Sequence, residues 1–298
     1  MRLFCSSGLS RKKWAILEEA EKADSPEIPK QLLIFTTNSN SMANTYTDSG
    51  SGDALVFLHG FCESKEVWNE FMQPLQQKFH TIALDLPGFG DNIENISNYS
   101  MESMADDVKR QLDDLRVRKC ILIGHSMGGY VSLAFAEKYG SMLSGLCLFH
   151  SSALPDTDEK REQRSKSIDY VERHGVDNFI NPFTEPLFYR ENRERLQQEI
   201  ELMKNIGKQS PKESIKGALA AMRDRPDRTH VLREAKFPVL FIFGKEDSAV
   251  PLEKALEQCH LPGNSMVYFL GKTGHMGMFE RTYETRKALE KFAETIYG

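Results

Sequence analysis

Short apolar runs alternate with stretches of helical periodicity along most of this chain. The apolar runs predict strands at 54–59, 80–85, 119–124, 145–150, 237–243 and 265–270. Between them, the spacing of apolar positions predicts helices at 66–78, 101–116, 127–139, 251–259 and 278–296. Alternating strands and helices are typical of βαβ units, so the pattern predicts a mostly parallel sheet with right-handed crossovers.

Two segments depart from this alternation. The glycine-rich turn Asp48–Asp53 is predicted to close a hairpin between a preceding antiparallel strand and the strand at 54–59. From about Pro155 to Glu234 no strand pattern occurs, and polar helical stretches cover 157–174, 191–206 and 211–223. We therefore expect an α/β core at 44–154 and 235–298, interrupted by a helical cap at 155–234.

Residues 1–43 fit the pattern least well and are expected to form an extension outside the core. Residues 10–23 are predicted to form an amphipathic helix and 31–37 a first strand, followed by an Asn/Ser-rich linker. The apolar stretch at the start is too short for a signal peptide, whose core needs about 7–15 residues. No run approaches the roughly 18 apolar residues of a membrane span, so no integral membrane segment is expected.

The composition excludes some classes of binding partner. The 298 residues carry 38 Lys and Arg against 43 Asp and Glu, a net charge of −5 that gives no reason to expect nucleic acid. The five cysteines are odd in number and scattered, which predicts reduced thiols in a cytoplasmic protein. No metal-binding spacing such as C-x-x-C or H-E-x-x-H occurs. Nothing in the composition determines the oligomeric state.

The best candidate for a catalytic residue is Ser126, in the segment Gly124-His125-Ser126-Met127-Gly128-Gly129. This segment follows the apolar run 119–123 and precedes the predicted helix at 127–139. A tight turn between strand and helix presents the apical serine on an exposed tip, and glycines remove the Cβ atoms that would collide there. The N–H groups at the start of the helix point toward any oxyanion that forms beside the serine.

A serine hydroxyl needs a base, and His275 is the best placed of the eight histidines. It lies in a glycine-rich loop after the strand at 265–270. Asp247 follows the strand at 237–243, and both loops are expected at the carboxyl edge of the sheet, where ligands bind in open α/β folds. Asp247 is also a possible helix N-cap, in which case Glu246 or Asp156 would serve as the acid.

Other polar residues of these motifs have structural interpretations. His59 and His125 are expected to be structural, because the position flanking the apical serine points away from the reacting carbon. Asp85 is expected to stabilise a turn. Arg223 and Arg228, near the end of the cap, are candidates for binding a substrate carboxylate, although a charge-rich segment of this kind is more often solvated.

Four segments resemble the α/β-hydrolase superfamily over residues 44–298. They are the Ser126 turn, Val56–Phe61, Asp85–Gly90 and Gly274–Glu280, and the chain order Ser126, Asp247, His275 is that of the family. The cap and the glycine frame make the chain look most like its carboxylesterase and enol-lactonase branch. The resemblance implies a twisted, mostly parallel sheet flanked by helices, with the cap inserted after the sixth strand, counting 31–37 as the first. It also implies an oxyanion hole made by the backbone N–H groups of Phe61 and Met127.

The cap is expected to close over Ser126 and shape a pocket. Apolar cap residues that are candidates for its inner face are Phe179, Ile180, Phe183, Leu187, Phe188, Tyr189, Leu202, Met203, Ile206, Leu219 and Met222. The substrate pocket is predicted to include Cys62, Phe179, Phe183, Leu187, Phe188 and Met276. The competing interpretation is that most of the cap residues only pack its helices together.

Together the motifs predict a serine hydrolase that cleaves a small carboxylic ester, lactone or thioester through an acyl-enzyme and needs no cofactor. A serine at the apex argues against haloalkane dehalogenase and epoxide hydrolase chemistry, which uses an aspartate there. A carbon–carbon bond hydrolase, a perhydrolase and an acyltransferase remain compatible with the same triad. A non-catalytic receptor for a small ligand is the alternative from a different class, because fold and function can dissociate.

Overall fold

The computed structural model describes residues 45–93 and 98–298. The predictions for residues 1–43, including the helix at 10–23 and the strand at 31–37, lie outside this part of the chain.

The described residues form one seven-stranded sheet with the order β1-β3-β2-β4-β5-β6-β7. Its strands are Tyr46–Ser49 (β1), Ala54–Leu58 (β2), His80–Leu84 (β3), Cys120–His125 (β4), Leu143–Phe149 (β5), Val239–Gly244 (β6) and Ser265–Leu270 (β7). All neighbouring pairs are parallel except β1 and β3. The predicted mostly parallel sheet flanked by helices is therefore confirmed.

The predicted hairpin at Asp48–Asp53 is wrong. Strand β1 pairs with β3, with Tyr46 opposite Leu84, and not with β2, the next strand along the chain. The physical reason is that β2 already has a parallel neighbour on each side, β3 and β4, so its hydrogen-bonding groups are occupied. Strand β1 therefore adds to the free edge of β3.

The helices flank the sheet and form the segment between β5 and β6. They are Asn69–Met72 (α1), Met101–Asp114 (α2), Met127–Tyr139 (α3), Asp158–His174 (α4), Val176–Thr184 (α5), Gln197–Gln209 (α6), Lys212–Asp224 (α7), Thr229–Arg233 (α8), Leu252–Leu256 (α9), Gly277–Glu280 (α10) and Thr282–Tyr297 (α11). None of these helices is long and apolar enough to cross a membrane.

A helix prediction needs correction, and one observed helix was not predicted. The helix predicted at 66–78 is a 3₁₀ turn at Lys65–Trp68, the short α1 and a second 3₁₀ turn at Leu75–Gln77. Pro74 interrupts it, because proline lacks the N–H that a continuous helix would use. Helix α5 carries no prediction, since Gly175 before it and Pro182 inside it suggest a loop.

Five helices, α4 to α8, occupy the segment between β5 and β6, and no strand interrupts them. This segment follows the fifth of the described strands. Helix α4 is polar and buries only Val171 fully, whereas α5 buries Phe179 and Ile180. Helix α4 is therefore a mainly polar helix, whereas α5 contributes apolar side chains to the protein interior.

The core lies on both faces of the sheet. Along β2, Leu55 and Phe57 face one apolar cluster while Val56 and Leu58 face the other, as the alternation of side chains in a strand requires. Trp68 is fully buried against Phe57 and Phe149, with ring centroids 5.2 and 5.5 Å away. Burying a large apolar side chain of this kind contributes about 1.5–3 kcal/mol.

The parallel strands bring four loops to one edge. Strands β4, β5, β6 and β7 end at His125, Phe149, Gly244 and Leu270, and all four run in the same direction. The residues that follow these ends therefore meet at the carboxyl edge of the sheet, which is where the polar chemistry gathers.

Close packing at this edge gives a stability prediction. A Cβ added at Gly128, near the start of α3, would lie 2.6 Å from His59 O and 2.7 Å from Leu58 O, both backbone atoms at the end of β2. We expect Gly128→Ala to lower the free energy of unfolding by at least about 1 kcal/mol, since overpacking costs about 1–3 kcal/mol and exceeds the gain in helix propensity. Urea unfolding followed by circular dichroism measures the change.

Gly263→Ala is the matched control, because a Cβ there meets nothing within 4 Å. We expect it to shift the free energy of unfolding by no more than about 0.5 kcal/mol. Equal stability losses in the two variants would contradict the close contact of α3 with β2.

Candidate active site

Ser126 stands at the turn between β4 and α3 in strained backbone geometry. Its φ is 50° and its ψ is −114°, a conformation that costs a non-glycine residue about 1–3 kcal/mol. The turn is held because Ser126 N donates to Phe149 O (3.0 Å) and Ser126 O accepts from Ser151 Oγ (2.7 Å). Ser126 is the N-cap residue of α3, yet its hydroxyl makes no capping hydrogen bond. The hydroxyl is therefore left for other chemistry.

Asp247, in the loop after β6, is a buried carboxylate with four donors. Its Oδ1 accepts from Ala249 N (2.8 Å) and Val250 N (2.9 Å). Its Oδ2 lies 2.8 Å from His275 Nδ1 and 3.1 Å from His150 Nδ1. Burial alone would raise the pKa of Asp247, but the charge and hydrogen bonds of the two histidines hold it well below its usual range. Asp247 therefore stays ionised beside His275.

The two other carboxylates considered for this position lie elsewhere. Glu246 Oε2 accepts from Thr273 N (2.9 Å). Asp156 binds the guanidinium groups of Arg164 and Arg225, the latter at 2.7 Å. Among these three acids, the structure brings only Asp247 within hydrogen-bonding distance of His275.

His150 is a residue that the sequence interpretation missed. It follows β5, has a φ of 49° and is fully buried, and no partner for its Nε2 occurs among the described residues. The ring lies against Gly277, where a Cβ would approach Nε2 to 2.4 Å. Its position directly after a strand, on the same edge as Ser126 and Asp247, is the signal that could have drawn attention to it.

His150, Asp247 and His275 also form the one group within residues 45–93 and 98–298 whose spacing could hold a metal ion. Two imidazole N–H groups that share one carboxylate oxygen account for the same spacing. We therefore interpret the cluster as a hydrogen-bonded support for His275.

A second buried pair, Glu63 and His125, links the loops around Ser126. Glu63 Oε2 accepts from Gly60 N (2.7 Å) and lies 3.0 Å from His125 Nδ1, and His125 Nε2 lies 3.0 Å from His275 O. Burial raises the pKa of Glu63 and lowers that of His125, but their mutual attraction reverses both effects, so the pKa of Glu63 is lowered and that of His125 is raised. Because a carboxylate and a carbonyl only accept hydrogen bonds, both ring nitrogens of His125 carry hydrogen.

Ser126 and His275 line a common cavity of about 520 Å³ beneath the helices between β5 and β6. Phe61 lines it as well, one residue after Gly60. Met127 is the first residue of α3, so its N–H is one of the helix donors that lack an intrahelical acceptor. The cavity thus combines a serine, a histidine and the loops that carry both predicted oxyanion donors.

One wall of the cavity is apolar. Phe179, Phe183 and Leu187 line it, with the rings of Phe179 and Phe183 stacked at 5.3 Å. Leu219 and Met222 from α7 also line the cavity. Of the cap residues considered for the inner face, these five reach the cavity.

Three of the predicted pocket residues lie elsewhere. Cys62 is buried in the apolar cluster that includes Val56 and Leu58, and Phe188 and Met276 are buried in the other cluster. The reason for Phe188 is that it stacks on Phe279 with its ring plane 18° from parallel. Cys62 and Met276 directly follow Phe61 and His275, but they do not line the cavity because both side chains are buried in apolar clusters.

The arginines suggested for a substrate carboxylate are also placed elsewhere. Arg223 pairs with its neighbour Asp224 (2.8 Å), and Arg228 pairs with Glu137 (3.0 Å) and Glu102. Neither arginine lines the cavity. The cationic side chains that do line it, Lys160 and Arg164, belong to α4.

Comparison with known proteins agrees with the fold. The model of the family described as "alpha/beta hydrolase fold" matches residues 53–282. The uncharacterized hydrolase YugF of Bacillus subtilis is 29% identical over 262 residues, which are 83% of this chain and 92% of that protein. A putative 2-succinyl-6-hydroxy-2,4-cyclohexadiene-1-carboxylate synthase of the same bacterium is 28% identical over 275 residues, 88% of this chain and 99% of that protein.

Among solved structures, a thermophilic esterase from Thermogutta terrifontis with malate bound superposes with a TM-score of 0.81 at 28% identity. The match covers 85% of this chain and 93% of the esterase.

The Glu63–His125 pair gives a pH-dependent prediction. We expect Glu63→Gln to lower the free energy of unfolding by about 3–5 kcal/mol, because it leaves a buried imidazolium unpaired. The lowered pKa of Glu63 contributes stability that is lost as pH falls below about 4.3, and the raised pKa of His125 contributes stability that is lost as pH rises above about 6.5. The coupling free energy should therefore be greatest between about pH 5 and 6.

A double-mutant cycle with His125→Gln, measured by urea unfolding at pH 4, 5.5 and 9, gives this coupling. The partly exposed pair His80 and Asp48 is the control, with an expected coupling of about 0–1 kcal/mol. A Glu63–His125 coupling near zero, or one that does not change with pH, would contradict the ionised pair.

Proposed function

Because this chain belongs to the alpha/beta hydrolase fold family, we propose that it is a serine hydrolase that cleaves a small carboxylic ester, lactone or thioester through an acyl-enzyme. The observation that carries the proposal is that Ser126, whose hydroxyl makes no capping hydrogen bond, lines one cavity with His275, while Asp247 lies 2.8 Å from His275 Nδ1. These are the parts that nucleophilic catalysis by serine requires.

The first step is the attack of Ser126 Oγ on the substrate carbonyl carbon. His275 Nε2 takes the hydroxyl proton, since its Nδ1 is occupied by Asp247 at 2.8 Å. Asp247 fixes the ring tautomer and stabilises the imidazolium that forms. The strained backbone of Ser126 holds the hydroxyl at the tip of the turn, so little reorganisation is needed before attack.

The negative charge that develops on the carbonyl oxygen needs donors. The backbone N–H groups of Phe61 and Met127 supply them in this proposal, each lowering the barrier by about 3 kcal/mol. Glu63 supports the first of these loops because it accepts from Gly60 N at 2.7 Å. Collapse of the tetrahedral intermediate then expels the alcohol or thiol, which receives its proton from His275.

Release of the acyl group follows the same steps, with water in place of Ser126 as the nucleophile. His275 removes a proton from water, which attacks the ester bond of acylated Ser126, and the serine leaves with the proton. The cavity of about 520 Å³ has room for a small substrate, and apolar side chains line part of it.

The relatives support hydrolysis in general more than one particular bond. The Thermogutta protein is called an esterase, whereas the Bacillus relative of similar identity is called a synthase. Similarity to these two proteins therefore does not distinguish ester cleavage from a different reaction catalysed by the same residues. The apical serine, in one cavity with His275, supplies the nucleophile that ester cleavage needs, and turnover of a simple ester tests that reaction directly.

Replacing the nucleophile tests the proposal directly. We expect the protein to hydrolyse p-nitrophenyl acetate or butyrate and Ser126→Ala to lose at least about a thousandfold in kcat/KM, because no acyl-enzyme can form. Ser141→Ala, at an exposed serine after α3, is the control and should keep the full rate. Circular dichroism shows whether each variant is folded. A folded Ser126→Ala variant with the wild-type rate would rule out this mechanism.

A further inference from the structure

One wall of the cavity is polar and cationic, and the proposed ester cleavage does not use it. Lys160, Gln163, Arg164 and Ser167 of α4 all line the cavity. They are spaced three, four and seven residues from Lys160, so they share one face of the helix. Other parts of the lining, among them Phe179 and Phe183, are apolar. The lining therefore combines a polar, cationic face of α4 with apolar side chains from other helices.

The charges on this wall do not cancel. Asp156 is fully buried in its side chain and binds both Arg164 and Arg225, so two guanidinium groups share one carboxylate. Lys160 Nζ donates to Ala249 O (2.8 Å), which is neutral, and no carboxylate of the described residues forms an ion pair with it. Two positive charges on this wall thus lack a partner.

The negative groups nearby do not fully compensate. Glu63 also lines the cavity, but its charge is balanced by His125 at 3.0 Å. Asp247 lies behind His275 and already accepts four hydrogen bonds. Counting the charge of Asp247 against those on the wall still leaves one positive charge in excess.

The surroundings of Tyr130 show the effect of the same positive charges. It lines the cavity one turn after Ser126, and the Arg225 guanidinium lies 3.9 Å above its ring. Burial alone would raise the pKa of Tyr130, but Arg225, Lys160 and Arg164 together lower it. A buried phenol made more acidic by three cations indicates an environment that favours negative charge.

We propose that the substrate carries a carboxylate, which binds Lys160 and Arg164 while its ester carbonyl lies at Ser126. This inference rests on the proposed ester cleavage and adds the class of substrate to it. Arg164 uses Nε for Asp156, which leaves its terminal N–H groups for a ligand. Lys160 exchanges one neutral acceptor for a charged one, so binding a carboxylate there breaks no ion pair.

Pairs of substrates that differ only in one charge measure the effect of a substrate carboxylate on the rate. On the acyl side, p-nitrophenyl hydrogen adipate is compared with the p-nitrophenyl ester of adipic acid monoamide. On the alcohol side, 4-acetoxybutanoate is compared with 4-acetoxybutanamide, and the released acid is measured. Each pair differs only by a carboxylate against a neutral amide of similar shape. We expect wild type to prefer the carboxylate in at least one pair by about 10- to 100-fold in kcat/KM.

Variants of α4 test whether Lys160 and Arg164 cause the preference for the carboxylate substrate. Lys160→Gln should reduce it by about tenfold, mainly through KM, whereas Lys160→Arg should keep most of it. Arg164→Gln should also reduce it, and Arg225 would still pair with Asp156. Lys166→Gln on the same helix, whose side chain is 74% exposed, and Arg223→Gln, whose guanidinium pairs with Asp224, should leave the ratio unchanged.

The two proposals fail separately. Ser126-dependent hydrolysis without any charge preference, or a preference that is undiminished in Lys160→Gln, overturns the carboxylate site and leaves the esterase function standing. If no ester is cleaved, the esterase proposal fails, and calorimetric titration of Ser126→Ala with ethyl hydrogen adipate and ethyl adipamate decides the carboxylate site. Tighter binding of the acid, lost in Ser126→Ala/Lys160→Gln, supports it, and equal binding overturns it.

Discussion

Buried carboxylates at the carboxyl edge of the sheet hold the site together. A desolvated carboxylate is tolerated only when donors satisfy it, and here each carboxylate also has a partner from a segment that is distant in sequence. Glu63 binds Gly60 and His125, Asp247 binds His150 and His275, and Glu280 binds four donors. Each carboxylate therefore fixes the relative positions of segments that the sheet alone would leave adjustable.

Glu280 shows how this constraint reaches the helices between β5 and β6. One of its oxygens accepts from Gly274 N and Met276 N, on either side of His275, and the other accepts from Tyr189 N and Asn192 Nδ2. His275 N also donates to Leu187 O at 2.7 Å. The apolar wall of the cavity and the histidine loop are thus tied by the same hydrogen bonds. The pocket and the reacting groups consequently share one frame, which suits a site where small displacements cost much activity.

The strands and the loops that carry Ser126, Asp247 and His275 could be predicted because apolar runs and glycine-framed turns are local signals. The pairing of β1 with β3 could not, since it depends on which strand edge is free after the sheet has assembled. His150 and Lys160 were missed for a related reason. Helix α4 has almost no apolar stripe, so its sequence does not show which face turns toward the cavity. Contacts of this kind are set by tertiary packing.

The central claim is that Ser126 is a nucleophile activated by His275. Treatment with a fluorophosphonate, followed by mass spectrometry of the digested protein, tests it without assuming any substrate. We expect one adduct, on the peptide that contains Ser126, and much slower labelling when His275 is replaced by alanine. Labelling of a different residue, or no labelling of folded protein, would contradict it.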